Sequence, residues 1–120
     1  MKARKNTNHE KAALFKSEEL EKAALLFKLL SDPTRLRILQ ALCKEERNVG
    51  DIVDATGASQ ANVSKHLALL TVHNVTSRRR NGLQIFYRVC EPLILELCQT
   101  VKNRPYQRRR QSTPVGMLEL

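Results

Sequence analysis

The chain has 120 residues, enough for one domain with a hydrophobic core, and nothing in it points to two. Its 21 lysines and arginines outnumber 12 aspartates and glutamates, and the net charge of +9 calls for an anionic partner, either nucleic acid or an acidic membrane surface. Apolar runs such as AALLF at residues 23–27 fall far below the ~20 residues that span a bilayer. The charged N-terminus has no apolar signal region, so a cytoplasmic protein with no membrane partner is expected. Cys43, Cys90 and Cys98 form no CxxC pair, and their odd number argues against a secreted disulfide framework.

Residues 1–9 are polar and basic without periodicity and read as a mobile arm. Residues 10–30 turn to Ala, Leu, Glu and Lys, with Leu20, Ala23, Ala24, Phe27 and Leu30 at helical spacing. EKAALFK at residues 10–16 recurs as EKAALLFK at residues 21–28, an offset of eleven, which is about three helical turns. Both copies are therefore expected on one continuous helix. Near its end this helix is apolar on more than one side, and a partner chain is needed to cover the surplus.

Ser31, Asp32 and Pro33 break the helix: Asp32 can cap the next one and Pro33 suits its first position, where no backbone donor is needed. Helix two is expected to run to about Lys44 and to bury Leu36, Leu39, Leu42 and Cys43. Residues 44–47 form a charged connector, and Asn48 is placed to cap helix three, with Asp51 favouring its positive end. Ile52 and Val53 supply the buried face before Gly57 stops the helix in a left-handed turn. Ser59 can then cap helix four, expected over residues 60–72 with Val63, Leu67 and Leu70 inward.

Residues 75–80 and 83–89 are strand-like runs around Asn81 and Gly82, a two-residue hairpin signal that places Arg78, Arg79 and Arg80 at the tip or along one edge. Pro92 opens a last helix over residues 93–102, with Leu93, Ile94, Leu97, Cys98 and Val101 as its stripe. After Pro105 pattern is lost, and Arg108, Arg109 and Arg110 lie in a basic tail. The expected fold is mainly α with a small β-hairpin: a winged helix-turn-helix of five helices, the wing between helices four and five. It occupies residues 10–102, between the arm at 1–9 and the tail at 103–120.

Four segments in one order resemble the ArsR/SmtB family of bacterial repressors: LLSDPTRLRIL (29–39), VGDI (49–52), SQANVSKHLALL (59–70) and NGLQIFYRV (81–89). The resemblance covers residues 20–101, most of the chain. In a helix-turn-helix the second helix lies in the major groove, with hydrogen-bonding side chains in its first turns and apolar anchors behind them. Gln60 can present its amide to an adenine edge, while Ser64 and Lys65 face bases or phosphates. The family's base-facing positions match Gln60, Ser64 and Lys65, with Ser59 and Ala61 near the DNA backbone. Arg78, Arg79 and Arg80 on a wing would reach phosphates or the minor groove. One short helix reads few base pairs, so a homodimer on a two-fold symmetric double-stranded operator is expected, paired through helices one and five.

The resemblance also implies where a metal signal would bind. The family's helix-three thiolate pair falls at Asn48 and Gly50, and its helix-five zinc site has Glu91 but Leu93 where a histidine is expected. Neither set supplies the thiolate or imidazole that zinc requires, so no metal and no cofactor is expected at these places. His9, His66 and His73 lie in different elements and read as non-ligands. Three readings of the cysteines stay open: inert small hydrophobes, a three-thiolate arsenic site, or a thiol switch. In the switch, a disulfide or persulfide bridge from Cys43 to Cys90 or Cys98 draws helix two against helix five. No catalytic nucleophile, acid pair or phosphate-binding loop stands out, so a non-enzyme is expected. The competing class is an architectural DNA- or RNA-binding protein using the basic wing and tail without sequence choice.

Overall fold

The computed structural model describes residues 14–105, so the arm at 1–9 and nearly all of the basic tail lie outside the described residues. Five helices and three short strands follow in the order α1 (Ser17–Leu30), α2 (Pro33–Leu42), β1 (Arg47–Asn48), α3 (Val49–Thr56), α4 (Gln60–Val72), β2 (Thr76–Asn81), β3 (Gln84–Val89) and α5 (Pro92–Asn103). Helix α1 starts later than the repeat predicts. Leu14 and Phe15 sit in a bend and Lys16 is extended, with its backbone N–H donating to the Glu19 carboxylate at 2.9 Å. Glu18 and Glu19 then complement the positive end of the helix. The expected continuous helix is thus broken at residues 14–16, where Glu18 and Glu19 favour a helix start, and the rest of the first copy lies outside the described residues.

Helix α2 begins as expected. Asp32 Oδ1 accepts the N–H groups of Thr34 and Arg35 at 2.8 and 3.1 Å, with Pro33 in the first turn. The Arg35 N–H holds the Asp32 carboxyl below the ordinary carboxylate range, aided by the Thr34 N–H and opposed by desolvation. The helix ends at Leu42, and its buried face is Ile38, Leu39 and Leu42. Leu36 is 40% exposed and Cys43 is exposed at the C-cap, which corrects two of the four expected core positions. The buried face is turned from the expected one, with Ile38 in the place of Leu36.

The connector is more ordered than its charge implies. Arg47 Nε donates to the Ala41 carbonyl at 2.7 Å, satisfying an orphan acceptor near the end of α2. Arg47 and Asn48 then pair antiparallel with Tyr87 and Phe86, so the hairpin gains a third strand and the sheet order is β1-β3-β2. Two polar residues carry no period-2 signal, and only the approach of β3 makes them a strand.

The core joins Leu29 of α1, Ile38, Leu39 and Leu42 of α2, Ile52 of α3, Val63, Leu67 and Leu70 of α4, Val75 between α4 and β2, and Ile94 of α5. The sheet enters through Tyr87 and Val89, which pack against this cluster. Helices α1 and α5 are the least satisfied: Leu20, Leu25 and Phe27 on one, and Leu93 and Val101 on the other, remain exposed. Of the stripe expected on α5 only Ile94 is fully buried.

Candidate nucleic-acid interface

The α3–α4 pair is built from local chemistry. Asn48 Oδ1 accepts the Asp51 N–H at 2.8 Å and starts α3, and Gly57, at φ +74°, stops it while its N–H bonds the Val53 carbonyl. A side chain at Gly57 would meet no atom, so the requirement for glycine there is one of backbone conformation alone. Ser59 Oγ then accepts the Asn62 N–H at 3.1 Å and starts α4. Each cap lies where the sequence places it.

Helix α4 divides cleanly. Val63, Leu67 and Leu70 are fully buried, and Gln60, Ala61, Ser64 and Lys65 are exposed in its first two turns. The exposed group is therefore presented on a rigid support, with the apolar residues fixing the angle of the helix. At its other end the Val75 N–H bonds the Leu70 carbonyl at 2.9 Å and the Asn74 N–H bonds Thr71 at 3.0 Å, with Asn74 left-handed at φ 60°. This Schellman ending turns the chain directly into β2. Asn74 is a residue that sequence reasoning passed over, although an asparagine just past the last helical turn is a known signal for it.

The wing is a two-residue hairpin shifted by one from the expected turn. Asn81 pairs with Gln84, so the loop is Gly82 and Leu83, with Gly82 at φ +67° and Leu83 on the negative-φ side. Glycine at the first loop position, followed by a residue of negative φ, is the II′ pattern. Arg78, Arg79 and Arg80 are all exposed on β2, the edge strand, and stop short of the tip. Thr76, at the start of that strand, is buried with its hydroxyl 2.9 Å from that of Thr71 on α4, which ties the wing to the helix.

The three arginines do not share one environment. Arg79 Nε lies 2.9 Å from both carboxylate oxygens of Glu46, its Nη2 also meets Oε1, and its guanidinium carbon sits 5.1 Å from the centre of the Phe86 ring. The Arg79 hydrogen bond holds the Glu46 carboxyl below the ordinary carboxylate range, and Glu46 in turn raises the guanidinium of Arg79. Glu46 was missed from the sequence. It lies 33 residues from its partner, beyond the reach of any periodicity.

The cysteines lie in three separate places: at the end of α2, between β3 and α5, and on α5. Cys43 is exposed, and Cys90 and Cys98 are half-buried, with Cys90 Sγ donating to the Asn74 carbonyl at 3.3 Å and Cys98 packed against the core. Among the described residues no three Cys, His, Asp or Glu side chains of one chain converge as a metal site. The three-thiolate arrangement is thus not formed within a protomer. Cys43 lines a shallow depression of about 240 Å³ with Val89 and with Leu95 of α5.

A capped helix pair whose second helix exposes a polar first turn, followed by a basic antiparallel wing, defines a winged helix-turn-helix DNA-binding domain. Residues 32–71 match the model of the bacterial regulatory proteins of the arsR family. A probable mercury resistance operon repressor of Streptomyces lividans is 39% identical over 74 residues, 62% of this chain and 59% of that protein. The nodulation protein NolR of Rhizobium meliloti is 37% identical over 82 residues, 68% of this chain and 67% of that one. The crystal structure of NolR from Sinorhizobium fredii superposes with a TM-score of 0.66 at 30% identity, covering 75% of this chain and 93% of that one. The chain belongs to the ArsR family of bacterial regulators and is a DNA-binding transcriptional regulator. Among the described residues no helix is long and apolar enough to cross a membrane.

Proposed function

We propose that this regulator is a cytoplasmic, homodimeric repressor that reads a two-fold symmetric operator with α4 and leaves it on a chemical signal. The exposed face of Gln60, Ala61, Ser64 and Lys65, set on the buried Val63, Leu67 and Leu70, is the observation that carries the reading. Gln60 is assigned to a base edge, Ser64 and Lys65 to bases or phosphates, and Ser59 and Ala61 to the DNA backbone. The apolar residues left exposed on α1 and α5 support dimer formation through those helices. The protein acts by binding, without catalysis.

Selection of bound fragments from random duplex DNA tests this reading, and the expected outcome is a two-fold symmetric motif with half-sites about one helical turn apart. Repeating the selection with Gln60→Ala should relax choice at one position in each half-site by roughly 1–3 kcal/mol while leaving overall affinity less affected. An unchanged preferred sequence would remove Gln60 from the reading face. Equal affinity for unrelated duplexes or for RNA would instead favour the architectural class.

The signal we assign to the cysteines. Cys43 is the thiol an oxidant meets first, and a bond from it to Cys90 or Cys98 passes two protons and two electrons to that oxidant. A relative named as a probable mercury resistance operon repressor is consistent with control by a chemical signal. Treatment with a disulfide or persulfide donor should release DNA from the parent and spare the complex formed by Cys43→Ser. A full response in Cys43→Ser would discard the switch.

A further inference from the structure

The arginine run of the wing is uniform in sequence and divided in space. Strand residues alternate between faces, and the β2–β3 register puts Arg78 opposite Tyr87 and Arg80 opposite Ile85, on the face that begins with the buried Thr76. Arg79, opposite Phe86, takes the other face. There its Nε and Nη2 edge is occupied by both oxygens of Glu46 and its plane lies over Phe86. To reach a phosphate, Arg79 would have to give up a forked pair and an aromatic neighbour together. A guanidinium already neutralised by a carboxylate also has no condensed ions to displace from DNA.

The position of this pair is informative. Asn48, Phe86 and Arg79 form the outermost row in which the sheet has three strands, and beyond it Arg80 with Ile85 and Asn81 with Gln84 have only each other. Glu46 immediately precedes β1, whose Arg47 is bonded to the end of α2 and whose Asn48 caps α3. The Glu46–Arg79 fork therefore bridges from the frame of the helix-turn-helix, across β3, to the edge strand where the free wing begins.

We propose that Arg79 and Glu46 form a clamp that sets the angle of the wing relative to α4, and that Arg78 and Arg80 alone of the run are left to meet phosphate. Arg79 is on this account a positioning residue. The proposal rests on the reading that the wing lies against duplex DNA, and the salt dependence of binding separates the two. A charge on phosphate contributes a slope of about 0.9 in log affinity against log salt, whereas a positioning group contributes affinity without slope.

The test uses the full chain, a fluorescent duplex recovered by selection from random sequence, and anisotropy titrations over a range of potassium chloride. Arg78→Gln and Arg80→Gln should each flatten the slope by about 0.9 for every phosphate the arginine had neutralised. Arg79→Gln and Glu46→Gln should keep the parent slope and bind about fivefold more weakly, the change that loss of one exposed ion pair corresponds to. The double variant should bind no more weakly than either single one. Arg79→Lys, which keeps the charge and loses the fork, should be as weak as Arg79→Gln. The clamp is overturned if Arg79→Gln flattens the slope as its neighbours do, if lysine restores full affinity, or if Glu46→Gln binds more tightly with a steeper slope. If Arg78→Gln and Arg80→Gln leave the slope unchanged, it is the placement of the wing on DNA that fails, and the clamp's role in binding falls with it. Glu46→Gln is nearly isosteric and its side chain is only half-buried, so a melting temperature within several degrees of the parent is expected and keeps the comparison within folded protein.

Discussion

Raising monovalent salt from about 50 to 200 mM should weaken operator binding by roughly three orders of magnitude. Lys65, Arg78 and Arg80 are exposed on α4 and the wing, and the proposed dimer would present two sets of them. About six phosphate contacts correspond to a slope near −5 in log affinity against log salt, and a fourfold rise in salt at that slope gives the stated loss. Arg79 is left out because Glu46 already neutralises it. The basic tail around Arg108, Arg109 and Arg110 can only steepen the dependence, and comparing the full chain with one ending after residue 105 measures its share. A full-chain slope shallower than about −2 would mean that the wing and the reading helix do not meet the phosphate backbone together.

The second large effect is on stability. Leu67→Ala should cost about 3 kcal/mol of unfolding free energy, and lower the melting temperature by roughly 15 °C. Leu67 is fully buried, in one cluster with Ile38, Leu39, Ile52, Val63 and Leu70, so truncation strips away apolar packing and leaves a cavity that helices α2, α3 and α4 must each move to fill. The neighbouring Leu69 is 37% exposed, and its truncation should cost well under half as much. Denaturant unfolding of the two variants at one protein concentration checks the difference, the fixed concentration being needed because the proposed dimerisation would add to apparent stability. Equal losses would show that α4 is held by something other than its buried stripe. The same substitution also bears on function, since Gln60, Ser64 and Lys65 are aimed only as firmly as that stripe is packed.

Where a short-range rule governs, the structure follows the sequence closely. Asp32, Asn48 and Ser59 accept backbone N–H groups two or three residues ahead, and Gly57 takes the left-handed turn between α3 and α4. Val63, Leu67 and Leu70 are inward because a helix repeats its faces every three to four residues. Helix-turn-helix, wing order and the exposed polar face of α4 all followed from such rules, together with the family resemblance of four segments.

The features that the sequence could not supply are those in which distant residues compete for one place. Cys43 has an apolar residue's spacing on α2, yet it is exposed, because the helix ends at Leu42 and the connector leaves past it. Arg47 and Asn48 are a strand only because β3 passes beside them. Three consecutive arginines look alike in one dimension, and the pleat of β2 turns Arg79 away from Arg78 and Arg80 and toward a glutamate at the start of β1. Sequence alone determined that this protein carries a capped helix-turn-helix with an exposed polar face and a basic wing, since capping, turns and periodicity act over a few residues. Tertiary structure decided which of the wing's charges are free, because that depends on which face of the sheet each one occupies and on what the rest of the fold brings against it.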